Sequence, residues 1–489
     1  MVFSSIYFTF LFFPILLLLY YPCRGKVRNL ILLCGSLVFY AYGEPVFVYV
    51  LLGSVGINYL LARGIESARE KQKTGKVFLL LAILLNVGLL FVYKYLFFFA
   101  GLLGSMLSVS LPAKELVLPI GISFFTFQAL SYVIDVYRGT KAQKNPLDLA
   151  LYICFFPQLI AGPIVRYKDI EEDLTAERRK KGGIFSICEK TAEGEEMPMF
   201  AAGVERFLIG FSKKVLLANN LALVADSVFD AKDFSTVSVA AAWLGAVCYT
   251  LQIYYDFSGY SDMAIGLGRM FGFRFAENFD HPYTAKSITD FWRKWHISLS
   301  GWFRDYVYIP LGGSRTTGGK RIRNLFVVWL LTGLWHGANL TFVAWGMLYF
   351  VFLILEKYAI RPESKGRLFS CIYRIFTLAV VNFLWVIFRA ADLPAAWAFL
   401  ARMLGKAASG GRGLDLAWIM GRLREQGVFL LFALIFCCPL RKWLLEKKMP
   451  EAGGRVRAAL YPALLIFLFL WSVSYLVLGA HNPFLYFNF

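Results

Sequence analysis

The chain has 489 residues, of which 58% are hydrophobic and 17% charged, and its mean hydropathy is +0.59. Lys and Arg outnumber Asp and Glu by 51 to 32, a formal charge of +19. No soluble chain of this length has an interior large enough for so many apolar runs, so a cytosolic enzyme, a disulfide scaffold and a disordered chain are excluded. What remains is an all-α polytopic membrane protein. The positive excess lies in short loops between apolar runs, where Lys and Arg mark the cytoplasmic side; it is read as topology, not as nucleic-acid or other polyanion binding. The eight cysteines show no paired zinc or redox spacing, and no metal site is read from them.

Taken in chain order, Phe8 to Tyr21 is apolar, has nothing basic before it and has Arg24, Lys26 and Arg28 after it. That is the reverse of a signal peptide, so it reads as a retained helix with the N-terminus outside. Spans follow at 29–43, 46–62 and 77–103, with the basic loop 63–76 on the cytoplasmic side. Pro119 to Val136 reads as a further span. Leu147 to Val165 contains Pro157 and Gly162-Pro163 and reads as re-entrant. Residues 166–198 form a charged cytoplasmic loop. Further spans are expected near 201–224, 238–256, 325–355, 369–389, 427–440 and 458–480. The expectation is one integral-membrane domain of about 10–12 transmembrane and re-entrant helices. Its N-terminal spans occupy 1–118, its core motifs 119–350 and its C-terminal spans 351–489.

Three stretches carry chemistry. In Ser287 to Tyr308, the Ser287–Asp290 pair opens a helix as a capping box. At helical spacing Ile288, Trp292, Trp295, Leu299, Trp302, Phe303 and Tyr306 share one face, as in a helix lying in the membrane interface, with His296 at the margin of that face. On periodicity alone, His296 is either functional or incidental to an aromatic belt. Leu325 to Leu355 holds 31 residues without an Asp, Glu, Lys or Arg. As one straight helix it would be about 46 Å long against an apolar core of about 30 Å, so it is tilted or broken, with residues 333–339 the expected irregular point. His336 lies there. An imidazole at membrane depth is a candidate for function; the alternative is a hydrogen-bonded histidine that holds helices together. Burial favours its neutral form, which suits a general base.

The third stretch, Tyr254 to Phe279, places Asp256, Asp262, Arg269 and Arg274 in apolar surroundings, with Gly266 and Gly268 read as helix-packing glycines. Next to it in importance is the loop from Gly313 to Lys320, which lacks the Lys-Ser/Thr of a phosphate loop. Its basic residues, Arg315, Lys320 and Arg321 together with Arg304, could meet lipid headgroups or the phosphates of a nucleotide-containing donor. His281 and His481 read as loop residues, the second solvent-exposed or interfacial.

From about Pro119 to Gly346 the chain resembles the membrane-bound O-acyltransferase superfamily, and within it the bacterial alginate-acetylation (AlgI-like) branch. The strings that carry the resemblance are PIGISFFTFQALSYVIDVYRG, PQLIAGPIVRYKDI, YYDFSGYSDMAIGLGRMFGF, DFWRKWHISLSGWFRDYVYIPLGG and LTGLWHG. Arg178 to Met197 departs from the pattern as an insertion. The resemblance implies a helical bundle around a tunnel in the bacterial cytoplasmic membrane, with acetyl-CoA as donor substrate and no tightly bound cofactor. It implies that His336 is the catalytic histidine and His296 the second polar position. The acceptor implied is an extracytoplasmic polysaccharide, reached directly or through an SGNH-type acetyltransferase. Two alternatives stay open: D-alanyl transfer to teichoic acid, and a non-catalytic acyl conduit lined by Asp256, Asp262 and Arg269.

Overall fold

The computed structural model describes residues 1–109, 114, 116–175, 188–190, 196–231, 233–362, 365–406, 414–439, 451–479, 481–482 and 485. Almost all of them are helical. The chain divides into two compact units, Met1–Phe207 with Tyr260–Glu277, and Leu208–Gly259 with Asn278–Phe489.

The first unit opens with α1 (Phe8–Tyr20), α2 (Lys26–Gly43), α3 (Phe47–Glu70) and α4 (Lys76–Leu107). Each is bounded near the basic loops that the sequence marks. Asn58 and Asn86 join α3 to α4 by reciprocal amide hydrogen bonds of 3.2 and 2.7 Å. Two buried amides thus satisfy each other where no water is available. α5 (Ile122–Arg138) is buried over nearly all of its length. In the region expected to be re-entrant, the chain makes two short helices, α6 (Pro146–Cys154) and α7 (Phe156–Leu159). At 1.5 Å per residue neither approaches the ~30 Å of an apolar core. A last short helix, α8 (Tyr167–Thr175), precedes two three-residue strands, β1 (Cys188–Lys190) and β2 (Glu196–Pro198), which pair antiparallel. The rest of the insertion Arg178–Met197 lies outside the described residues.

Two long helices belong to both units by residue range, α9 (Met199–Phe229) and α10 (Val239–Met270). The span expected at 238–256 therefore runs on through the third motif as a single 32-residue helix. Gly266 has the packing role read from the sequence: a Cβ there would sit 2.6 Å from the carbonyl oxygen of Gly203.

The second unit continues with α11 (Ile288–Lys294) and α12 (Ile297–Phe303), then α13 (Gly318–His336) and α14 (Leu340–Leu355). α15 (Arg367–Arg389), α16 (Leu393–Met403), α17 (Leu416–Phe436) and α18 (Glu451–Val477) complete it. The 31-residue apolar run is broken where its excess length and its glycines predict. α13 ends at His336, and Asn339 starts α14 by accepting a hydrogen bond from the backbone N–H of Thr341 at 3.1 Å. α13 and α14 then fold against each other as a hairpin. Gly333 and Gly346 permit the close approach: a Cβ on either would lie 2.5 Å from a backbone carbonyl of the facing helix, that of Phe342 or Trp329. Among the described residues six helical segments are long and apolar enough to cross a membrane: α3, α4, α9, Leu340–Ile360, which continues α14 by one further turn, α15 and Leu460–Val477 of α18.

The single helix expected over 287–308 is not formed. The chain breaks between α11 and α12, with Trp295 extended and His296 in the left-handed region at φ 45°. The cause is non-local. Residues 278–280 run alongside the break: Asp280 N–H donates to Lys294 O, and Ile297 N–H donates to Asn278 O, both at 3.0 Å. These bonds take up groups that a continuous helix would have paired internally. All seven residues of the predicted apolar face are nevertheless buried.

Candidate active site

The C-terminus of α13 delivers His336 to a cage of rings. Its imidazole lies 5.0 Å from Trp335, 5.1 Å from Trp345 of α14 and 5.0 Å from Phe388 of α15, edge-on to each. The left-handed turn at His296 swings the second imidazole inward, from the margin of the predicted face to complete burial. It sits edge-on to Phe257 at 4.6 Å and 5.7 Å from Trp335. Two histidines forty residues apart in sequence thus both pack against one indole, within electrostatic reach of each other.

The surroundings of the two rings differ. His336 is the last residue of the 19-residue α13 and is buried. His296 stands at the N-terminus of α12, where burial first, and His336 second, hold its imidazole well below the ordinary histidine range.

Asn278, which no sequence pattern singled out, fixes the tautomer of His296. Its Oδ1 accepts from the backbone N–H of Ser298 at 3.2 Å and from the Ser298 hydroxyl at 2.8 Å. A backbone N–H can only donate, so this atom is the amide oxygen. His296 Nδ1 lies 3.2 Å from the same oxygen and must carry the proton. Nε2 is left as a buried acceptor with no partner among the described residues. In protein labelled with 15N-histidine, His296 is expected to show the Nδ1–H tautomer. Asn278→Ala should abolish that signature and slow turnover about 10–100-fold, as loss of an imidazole-orienting partner does elsewhere. An Nε2–H signature in the parent protein contradicts the assignment.

The basic residues proposed for donor phosphates do not join the histidines. Arg315 and Lys320 are exposed, and Arg321 donates to Thr316 O at 3.3 Å while lying near Lys357. Arg304 pairs with its neighbour Asp305 at 2.8 Å. Lys320 and Arg321 stand at the start of α13 and His336 at its end, about 22 Å apart along one helix. Of the charges offered for a conduit, the two acids Asp256 and Asp262 are engaged in ion pairs. Asp256 lies 2.5 Å from Lys214 Nζ, and Asp262 lies 2.7 Å from Arg206, which also meets Glu277. His281 sits beside Asp280 in a loop, and His481 lies 3.1 Å from Asp226.

Apolar helices with two buried imidazoles packed against one indole mark the candidate site of a multi-pass membrane protein. Residues 139–391 match the family described as "MBOAT, membrane-bound O-acyltransferase family". The chain belongs to that family and is an acyltransferase. It is 43% identical to the "Probable alginate O-acetylase AlgI" of Pseudomonas aeruginosa, over 81% of this chain and 74% of that one. To the protein of the same name from Pseudomonas putida it is 39% identical over the full length of both. The "Peptidoglycan O-acetyltransferase" of Helicobacter pylori is 34% identical over 83% of this chain and 80% of its own length.

Proposed function

We propose that the protein moves an acetyl group from cytoplasmic acetyl-CoA to a hydroxyl of an extracytoplasmic polysaccharide, directly or through an SGNH-type partner, in the bacterial cytoplasmic membrane. The observation that carries this reading is the pair of buried imidazoles around Trp335. His336 takes the proton of the acceptor hydroxyl as its oxygen attacks the thioester carbonyl. The C–O bond forms, the C–S bond breaks, and the proton passes from the imidazolium to the departing thiolate. His296 Nε2, held as an acceptor by Asn278, receives a hydrogen bond from a neighbouring hydroxyl of the sugar and so orients it. The exposed Arg315 and Lys320, with Arg321 beside them, suit the phosphates of the donor at the far end of α13. Relatives named for O-acetylation match over four fifths of the chain at 34–43% identity, whereas those named for teichoic acid D-alanyl transfer match about half of it at 26–27%, which favours acetyl over D-alanyl transfer to a polysaccharide.

The test uses purified protein in liposomes given acetyl-CoA on the face bearing Lys320. Acceptor-dependent release of free CoA, with acetyl esters appearing on a soluble polysaccharide or on an SGNH protein at the opposite face, is the expected result. Passage of acetyl-CoA without thioester cleavage would establish a conduit instead.

A further inference from the structure

A helix leaves its first backbone N–H groups without partners inside itself, and in a membrane protein water does not supply them. In α11, the helix that leads into His296, the partners are accounted for. Ser287 Oγ accepts from Asp290 N–H at 3.2 Å. The N–H groups of Ile288 and Thr289 both donate to one carboxylate, Glu356, at 2.7 and 2.9 Å. Glu356 is only 4% exposed and stands just beyond the C-terminus of α14, the helix that begins beside His336. It also accepts a hydrogen bond of 3.0 Å from the hydroxyl of Tyr373, on α15. That helix carries Phe388 against the His336 ring.

One carboxylate therefore ties together the far ends of three elements that lead to the histidine pair, α11 into His296 and α14 and α15 to the rings around His336. α11 has seven residues and is about 10 Å long, so a shift at its start is carried rigidly to His296. Its other end is held by Asp280 and Asn278. Charge-assisted bonds to backbone N–H groups at a helix N-terminus are among the stronger hydrogen bonds, and the helix dipole adds to them. Trp292, midway along α11, packs against Trp345 and Tyr349 of α14 and turns the same tether into ring contact.

We propose that Glu356 is a positioning residue for His296, acting through α11. The inference rests on the reading of the two histidines as the acyl-transfer pair. Glu356→Gln keeps the side-chain volume but offers one carbonyl oxygen where the carboxylate serves three donors; Glu356→Asp keeps the charge on a shorter stem and serves if the Gln variant fails to fold. Tyr373→Phe removes one donor and leaves α11 capped.

The experiment labels the whole protein with 15N-histidine. Its four histidines give four imidazole pairs, and His296→Ala identifies one. Expected for Glu356→Gln are a shift of the His296 signals alone and a fall in kcat of about 10–100-fold, with KM for acetyl-CoA near the parent value. In the His296→Ala background the same substitution should change turnover by less than about twofold, since two residues acting through one group do not add. Glu356→Asp should recover part of the loss, and Tyr373→Phe should leave the His296 signals in place. Unmoved His296 signals in folded Glu356 variants, or a full loss persisting in the His296→Ala background, overturns the proposal. Parent-like turnover by His296→Ala alone refutes the histidine-pair reading, while the 15N shift still decides whether Glu356 positions the ring.

Discussion

Replacing His336 by alanine is expected to lower kcat for acetyl transfer about 10²–10⁴-fold, the usual worth of a positioned general base. KM for acetyl-CoA should stay near the parent value, because the basic residues suited to the donor's phosphates lie about 22 Å away along α13. His336→Gln keeps a polar side chain of similar reach but cannot take a proton, and should be as slow. The loss should not trace to unfolding. The cage around the ring is built mainly from Trp345 and Phe388, which also touch each other at 5.1 Å and remain in place. His281→Ala, in a loop beside Asp280, is the matched control and should turn over normally. The measurement is CoA release at saturating donor and acceptor, alongside thermal unfolding in detergent. A folded His336→Ala protein that still transfers acetyl groups at the parent rate removes His336 from the chemistry.

His336 was legible in the sequence because two local signals coincide there. A 31-residue apolar run is too long for one span, and a Gly-rich segment with a histidine and an asparagine marks where it can break. The structure breaks it at that point. The apolar face of 288–306 was legible for a similar reason, since lateral burial depends on periodicity, and periodicity survives a turn that keeps the same residues inward. The turn itself was hidden. His296 leaves helical geometry because Asn278 and Asp280 occupy the backbone groups on either side of it, and nothing within the segment records their presence. Glu356 was hidden for the opposite reason: as the first charge after a long apolar run, it looks like the solvated end of a span. Its burial follows from a helix N-terminus and a tyrosine brought there by the tertiary fold. The buried acids Asp256 and Asp262 were visible as anomalies, but their cations stand on α9, and the sequence offers no pattern linking the two helices. Local pattern thus marks the candidate groups, and non-local hydrogen bonding decides how they are held.

The largest effect on stability is expected at Lys214 and Asp256. Their side chains are 2% and 3% exposed and lie 2.5 Å apart, between α9 and α10. Asp256 Oδ2 also accepts the backbone N–H of Leu485 at 3.0 Å, and Leu485 is itself buried in the aromatic core that holds Trp345 and Phe388. Removing one member of a buried ion pair leaves a charge without compensation, so Asp256→Ala should destabilise the protein by about 3–5 kcal/mol. The double variant Lys214→Met/Asp256→Leu strands no charge. It should lose only the acceptor of the Leu485 N–H, about 1–3 kcal/mol. Thermal unfolding in one detergent, with all four members of the cycle, measures the difference; strictly additive losses would mean that the two charges do not compensate each other. Function follows the same logic. A conduit that used these charges to pass an acyl carrier would close in the double variant. If they only secure the framework around the histidine pair, the double variant should retain acetyl transfer within about threefold, the scale of a surviving site in a slightly loosened fold. The charges are then structural, and the proposed chemistry stays with the two imidazoles packed against Trp335.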